Sequence, residues 1–280
     1  MMKAFFRALR EASLSAWIGL VIVVGNALCA ILAGWIAPYD PADPVGGLWE
    51  GFTAEHWLGT DQLGRDMLSR MLEGGQLTIG IALAVTALAF VIGVLGGFIA
   101  ALGRGAVDQV LSRIVDALMA IPTLLFALLV LSVMGTSVPV LIVVIAILES
   151  TRVFRLARAL ALDLAAMDFV EVARLRGESM LWIMRREILP NTTLPLMSEF
   201  GLRFCFVVLF ISTLSFLGLG IQPPAADWGG LVRENAQAIN FGIAAPLIPA
   251  AAIAILTVGV NLVVDWMLAR QGKAMLERPA

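Results

Sequence analysis

Apolar residues dominate six stretches of this chain, at about 17–37, 77–102, 115–134, 138–156, 200–219 and 245–267. Each is close to the roughly 20 residues a helix needs to cross the hydrocarbon core of a bilayer. Barrel strands would alternate apolar and polar positions in short segments, and these runs do not. In lipid, every spanning segment must satisfy its own backbone hydrogen bonds, so the pattern predicts an all-α membrane protein with six transmembrane helices. The fourth run is short, Val138 to Leu148, and its helix is expected to continue through Glu149, Arg152 and Arg155 into water. Pro122 removes a helix hydrogen bond within the third run and predicts a kink there.

The polar segments orient the bundle. With six spans, the two ends and the loops near 103–114 and 157–199 share one side. That side holds all of the 19 Lys and Arg residues except Arg65, Arg70 and Arg233. Positive charge marks the cytoplasmic side, so both termini are expected in the cytoplasm. The loop on the opposite side, 38–76, is acidic from Asp40 to Glu73. The chain then divides into a cytoplasmic segment 1–16, a first span 17–37, an outer loop 38–76, a core 77–270 containing the inner loop 157–199, and a cytoplasmic tail 271–280.

Composition agrees. Of 280 residues, 60% are hydrophobic and 14% charged, too few polar groups to cover a soluble domain. The basic start leads into an apolar run too long for a signal-peptide core, so Trp17 to Ala37 reads as a permanent span. Trp17, Trp35 and Trp266 fall where interfacial anchors sit. Cys29 and Cys205 lie in apolar runs and behave as small hydrophobes. Ala89, Gly93, Gly97 and Ala101 form a stripe of small residues that admits close approach of another helix. That helix belongs either to this chain or to a second membrane subunit.

Candidate chemistry is sparse. His56 is the single histidine and has no partner at metal-ligand spacing, so it is expected at the surface and no metal site is expected. Proton and sodium carriers and intramembrane proteases place ionisable or catalytic groups at mid-membrane depth, where this chain has almost none. A phosphate-binding loop needs G-x-x-x-x-G-K-S/T, and the two lysines, Lys3 and Lys273, are not in that setting. Leu72-Glu73-Gly74-Gly75-Gln76 looks like the LSGGQ signature of transport ATPases, but it falls in the outer segment and reads as coincidence.

The inner loop carries the strongest signal. Its sequence, ALALDLAAMDFVEVARLRGESMLWIMRREILPN, is helical in pattern and too charged to span. Gly177 interrupts that pattern and Pro190 closes it, predicting two short helices that meet at Gly177. A surface-lying amphipathic segment would explain the apolar face but not the break. Glu171-Val172-Ala173, the glycine four residues later and Leu189-Pro190 resemble the EAA loop of bacterial ABC importer permeases. Val172 stands where that pattern has alanine, and Glu187 where isoleucine is usual. In the outer segment, HWLGTDQLGRDMLSR resembles the GTDxxGRDxxSR stretch of the OppC/DppC-like permeases for oligopeptides, dipeptides and nickel. It brings Gly59, Thr60, Asp61, Gly64, Arg65, Asp66, Ser69 and Arg70. By chemistry alone, Thr60 and Asp61 could cap a helix and Arg65 could pair with Asp66. A role in the substrate vestibule or in docking a binding protein is the other reading. Leu214 to Pro224 with Trp228-Gly229 resembles the same family's span-five exit, through Ser215, Gly218, Gly220, Pro223 and Trp228.

The resemblance covers the chain from about residue 57 onward and implies a permease of the peptide/nickel uptake family in the bacterial inner membrane. It implies a six-helix fold of the type I importer kind, and transport of di- or oligopeptides, nickel chelates or related small solutes by alternating access. The implied partners are a homologous second permease, two cytoplasmic ATPase subunits that bind ATP-Mg, a periplasmic solute-binding protein and the lipid membrane, with no nucleic acid. No cofactor is expected on this chain itself. Asp168, Glu171, Val172, Ala173, Arg176, Gly177, Glu178, Leu189 and Pro190 would then form the ATPase-coupling helix and its ends. A secondary carrier and a membrane-embedded enzyme are the rival classes.

Overall fold

The computed structural model describes residues 13–276, with side chains up to residue 270. The basic residues Lys3, Arg7, Arg10 and Arg278 lie outside the described residues, and Lys273 falls where the backbone alone is described. Those described are helical, and their only β pairing is two isolated bridges, Pro44 with Arg65 and Thr60 with Asp66. The helices are α1 Leu14–Ile36, α2 Met67–Gly103, α3 Gly105–Met119, α4 Thr123–Met134, α5 Val138–Ala165, α6 Asp168–Leu175, α7 Met180–Ile183, α8 Leu189–Phe216, α9 Trp228–Glu234 and α10 Leu247–Leu276. A π-helical turn, Met184–Ile188, joins α7 to α8, and a 3-10 turn, Ala236–Phe241, follows α9.

Four helical runs are long and apolar enough to cross a membrane: Leu14–Ile36, Met67–Gly103, Met180–Phe216 and Leu247–Arg270. The third predicted span is not one kinked helix. It is the pair α3 and α4, bent by 85° across Ala120 to Pro122, and together they make a fifth candidate. Pro122 sits as the residue before α4. It offers no N–H to the preceding turn, and its ring drives Ile121 away from helical geometry, so the chain breaks where a kink was expected.

Helix α5 does run on through Glu149, Arg152 and Arg155, but Glu149 does not reach water. It is 3% exposed. Arg203 Nη1 donates to its Oε2 at 3.3 Å, and Glu199 holds Arg203 Nε at 2.7 Å. A carboxylate can stay buried beside a guanidinium that returns the lost hydration.

The described residues sort into two compact units. The first comprises the chain up to Leu83, residues 136–138 and the chain from Phe204 on. There, Gly19 of α1 faces Gly259 of α10, and a Cβ on Gly19 would lie 2.7 Å from the Gly259 carbonyl oxygen. The second unit comprises 84–135 and 139–203. Here the small-residue stripe faces α5 of the same chain. A Cβ on Gly93 would meet Ser150 O at 2.7 Å, and one on Gly97 would meet Phe154 O at 2.7 Å. Lipid gives no hydrophobic drive between helices, so such close backbone approach supplies the packing. Arg158 of α5 then grips Asp108 of α3 with two nitrogens, at 2.5 and 2.6 Å.

Candidate functional site

Residues 166–190 of the second unit fold as an elbow. Its first arm, α6, places Asp168 and Glu171 in the first turn, where carboxylates favour the helix dipole. It ends in a Schellman turn: Gly177 N donates to Arg174 O at 2.9 Å and Glu178 N to Ala173 O at 3.2 Å. Gly177 takes φ +79°, and nothing lies within 4 Å of where its Cβ would be. The requirement for glycine is therefore conformational, since left-handed backbone costs other residues about 1–2 kcal/mol. Ser179 then caps the second arm by accepting the Trp182 amide at 3.2 Å.

Two faces result. Val170 and Ala173 of α6, with Ile183, Met184 and Ile188 of the second arm, are buried against Phe98 and Ala101 of α2 and Ala157 and Ala161 of α5. The opposite face is open: Val172 is 51% exposed, Leu175 81% and Leu181 70%. Arg176 is exposed, with its guanidinium 5.7 Å from the Trp182 ring centre. Val172 in place of alanine is accommodated because that position faces outward.

The second arm is not a short helix closed by Pro190. The chain remains helical through the π turn and α8, so Met180 to Phe216 is one run with Leu189 and Pro190 inside it. A π turn widens the helix and relieves the clash a proline ring makes with the preceding turn. Side chains then donate to carbonyls of that turn: Asn191 Nδ2 to Glu187 O at 2.7 Å and Thr193 Oγ1 to Leu189 O at 2.8 Å.

The outer motif lies in the first unit and forms a buried charge network. Asp61 Oδ1 accepts the amides of Leu63 and Arg65 at 2.8 and 2.9 Å. Its Oδ2 accepts Arg65 Nε at 2.7 Å and Arg70 Nη1 at 2.5 Å. Glu234, far along the chain, accepts Arg65 Nη2 at 2.8 Å and Arg70 Nη1 at 2.6 Å. Burial opposes charge on Asp61, yet the Arg65 and Leu63 amides and the Arg70 and Arg65 guanidiniums outweigh it and hold its carboxyl below the ordinary value.

Several pairings differ from expectation. Arg65 pairs with Asp61 and Glu234, not with Asp66. The residue that caps α2 is Asp66, which accepts the Ser69 amide at 2.8 Å. Thr60 instead ties the loop to itself, donating to Gly47 O at 2.6 Å and accepting the Glu50 amide at 2.8 Å. His56 is not at the surface: it is 5% exposed, with Nδ1 3.0 Å from Asp66 Oδ1. Gly59 and Gly64 have φ +73° and +76°, and a Cβ on either would strike a backbone carbonyl, of Glu50 and Gly46 respectively.

The exit motif completes the same unit. Gly218, at φ +88°, closes α8 in a second Schellman turn, with Leu219 N donating to Leu214 O at 2.9 Å. Gly220 packs on Ser215, whose Oγ accepts the Ile221 amide at 3.3 Å, and Pro223 is exposed. Trp228 is buried, donating from Nε1 to Met71 O at 3.0 Å. Its indole lies against Gly74 and Gly75, where added Cβ atoms would sit 3.2 and 3.0 Å from the ring. The ATPase-like string in the outer segment is thus a slot for a tryptophan. Asp227 beside it caps α9 through the Gly229 amide at 3.1 Å. Burial pushes its carboxyl up to about 6, although Ser215 and the amides of Gly230 and Gly229 pull the other way.

Glu234 and Asn235 were not singled out from the sequence. Asn235 Oδ1 accepts Trp49 Nε1 at 3.1 Å and the Gln62 amide at 3.2 Å. The motif is balanced in charge, with Arg65 and Arg70 against Asp61 and Asp66, so nothing in it pointed to a further acid. Among the described residues no cluster of His, Cys, Asp and Glu could hold a metal ion.

Residues 93–277 match the model of the binding-protein-dependent transport system inner membrane component. Residues 3–48 match the N-terminal TM domain of oligopeptide transport permease C. A protein provisionally named as a peptide transport system permease in Brucella suis is 38% identical, over 89% of this chain and 84% of its own. The di/tripeptide transport system permease protein DppC of Pseudomonas aeruginosa is 32% identical, over 89% and 84%. The glutathione transport system permease protein GsiD of Escherichia coli is 34% identical, over 94% and 87%. A crystal structure of an amino acid ABC transporter with histidines shares the fold, with TM-score 0.51 and 23% identity over 72% of this chain and 94% of that one.

Proposed function

We propose, from the premise that this chain belongs to the family of binding-protein-dependent transport inner membrane components, that it is the permease subunit of an ATP-binding-cassette importer for peptides. As a member of that family it is a multi-pass inner-membrane protein and a transport component, not an enzyme. The solute class is di- and tripeptides or close relatives such as glutathione, because the named relatives carry these. Six crossings serve it: α1, α2, the bent pair α3–α4 taken once, the first half of α5, α8 and α10, with both ends in the cytoplasm. The 28 residues of α5 extend about 42 Å, enough to cross and continue into the cytoplasm.

ATP-Mg is hydrolysed on two separate ATPase subunits, and a homologous second permease and a periplasmic binding protein complete the assembly. Closure of the ATPases presses on the elbow 168–190 and switches the side to which the solute pathway opens. Such coupling requires nucleotide and solute to bias the same two-state bundle. The observation that carries this reading is the elbow's pair of faces, one locked in the core and one left open. Its second arm continues into a membrane-crossing helix with no break between them. A push on Leu181 therefore reaches α8 through continuous helix, and one on Leu175 is passed on across the Gly177 turn.

Proteoliposomes holding the complete assembly test it. Uptake of a labelled dipeptide is expected only with ATP inside the ATPase-bearing compartment. A secondary carrier would move the peptide at full rate with the ATPase subunits omitted.

A further inference from the structure

The second arm of the elbow carries a small cavity of about 290 Å3, lined by Ser179, Leu181, Trp182, Arg185 and Arg186. Leu181 and the indole of Trp182 give it an apolar wall, and the Arg176 guanidinium lies over that indole. Both arginines are exposed, and among the described residues neither has a carboxylate within ion-pair distance. Arg158 and Arg203 of the same unit, by contrast, are engaged, the first with Asp108 and the second with Glu149. A concave site with two uncompensated guanidiniums and an aromatic wall suits one planar anionic group, held by paired N–H donors.

Depth decides what that group belongs to. Along the continuous run from Met180 to Phe216, the uninterrupted apolar stretch begins only after Glu199 and Arg203. Arg186 precedes Glu199 by about 20 Å of helix. The headgroup layer of a leaflet is about 5–8 Å thick. A cavity that far from the hydrocarbon edge lies beyond lipid phosphates and within reach of a soluble partner.

We propose that this cavity receives a carboxylate side chain of the ATPase subunit, a second anchor point beside the apolar face of α6. The inference rests on the reading of 168–190 as the ATPase-coupling elbow. It adds that the partner presents an acidic residue opposite Arg185 and Arg186. The apolar contacts of Val172 and Leu175 supply adhesion, while the guanidinium–carboxylate pairing fixes the register in which the two surfaces meet.

The test measures binding of the ATPase subunits to the permease pair in nanodiscs of neutral lipid, across ionic strength. Three forms of this chain are compared: wild type, Arg185→Glu/Arg186→Glu, and Arg185→Lys/Arg186→Lys. Charge reversal is expected to weaken binding at least tenfold at low salt and to flatten its salt dependence. The lysine form should keep the salt dependence. Both residues are exposed, so melting of the isolated permease pair should not change. If the reversed form binds with unchanged affinity and slope while Gly177→Pro abolishes binding, the elbow docks the ATPase but the acidic subsite is absent. If neither variant alters binding, the docking reading fails with it. Unchanged ATPase binding, with hydrolysis in a parallel set of anionic-lipid nanodiscs stimulated for wild type but not for the reversed form, would assign the cavity to headgroups and overturn the proposal.

Discussion

Glu234 on α9 accepts Arg70 of α2 at 2.6 Å, through the same nitrogen that reaches Asp61 at 2.5 Å. Arg70 is completely buried, and Asp61 is too. Removing one member of such a network leaves an uncompensated charge in the interior, a loss of about 3–5 kcal/mol. Asp61→Ala and Glu234→Ala should each lower the unfolding free energy of the purified permease by that order, the first more than the second. Their double variant should lose more than the sum, because either acid left alone still answers the shared Arg70 guanidinium. Denaturant titration in detergent checks this, and strict additivity would show that the two acids act independently.

The glycines of α1 separate packing from mere composition. Gly19 abuts the backbone of Gly259, whereas Gly25 and Gly34 have nothing within 4 Å of a Cβ position. Gly19→Val should part α1 from α10 and cost about 2 kcal/mol or more by overpacking. Gly25→Ala and Gly34→Ala should change stability little. The comparison is a set of melting curves on one preparation.

Gly75 and Trp228 give a second packing test. Trp228→Ala empties a buried site between α2 and α9 and should cost about 3–5 kcal/mol. Gly75→Leu should be comparably harmful, because the side chain meets the indole at once. If instead the Leu72 to Gln76 string bound nucleotide, Gly75→Leu would alter ATP binding to the isolated permease. No such change is expected.

Asp227 sets a pH dependence. Its folded-state carboxyl is pushed up from 3.8 to about 6 by burial, so the folded protein holds this proton more tightly than the unfolded chain does. The contribution is therefore most favourable below about pH 4 and is lost as pH rises through about 6. Two pH units correspond to about 3 kcal/mol. Asp227→Asn keeps an oxygen for the Gly229 amide without the charge. Relative to wild type, it should gain stability between pH 4 and pH 7. Unfolding free energies that stay parallel across that interval would contradict the assignment.

Much of this architecture was legible in the chain. Runs such as Trp17 to Ala37 must be helices in lipid, and Gly177, interrupting a helical pattern, marks the elbow's turn. What failed were predictions that read a proline locally. Pro122 breaks its span outright, because the preceding residue cannot stay helical. Pro190 ends nothing, because a π turn absorbs it. The pairing of Arg65 was misread for a different reason. Adjacent Asp66 was the nearest acid in sequence, but the cap of α2 claims it, and Glu234 comes from a segment more than 160 residues away. Sequence distance hides such a partner; the contact of His56 with Asp66, only ten residues on, was hidden instead by the fold of the loop that buries it.

The elbow's claim is mechanical, and the stoichiometry of coupling tests it. In proteoliposomes of the full assembly, dipeptide taken up per ATP hydrolysed is measured for wild type and for Gly177→Val. Valine has room at that position but cannot easily hold φ +79°, so it deforms the turn without crowding a neighbour. The account predicts that hydrolysis continues or falls while uptake per ATP drops at least severalfold. An unchanged ratio, with ATPase binding also unchanged, would contradict it.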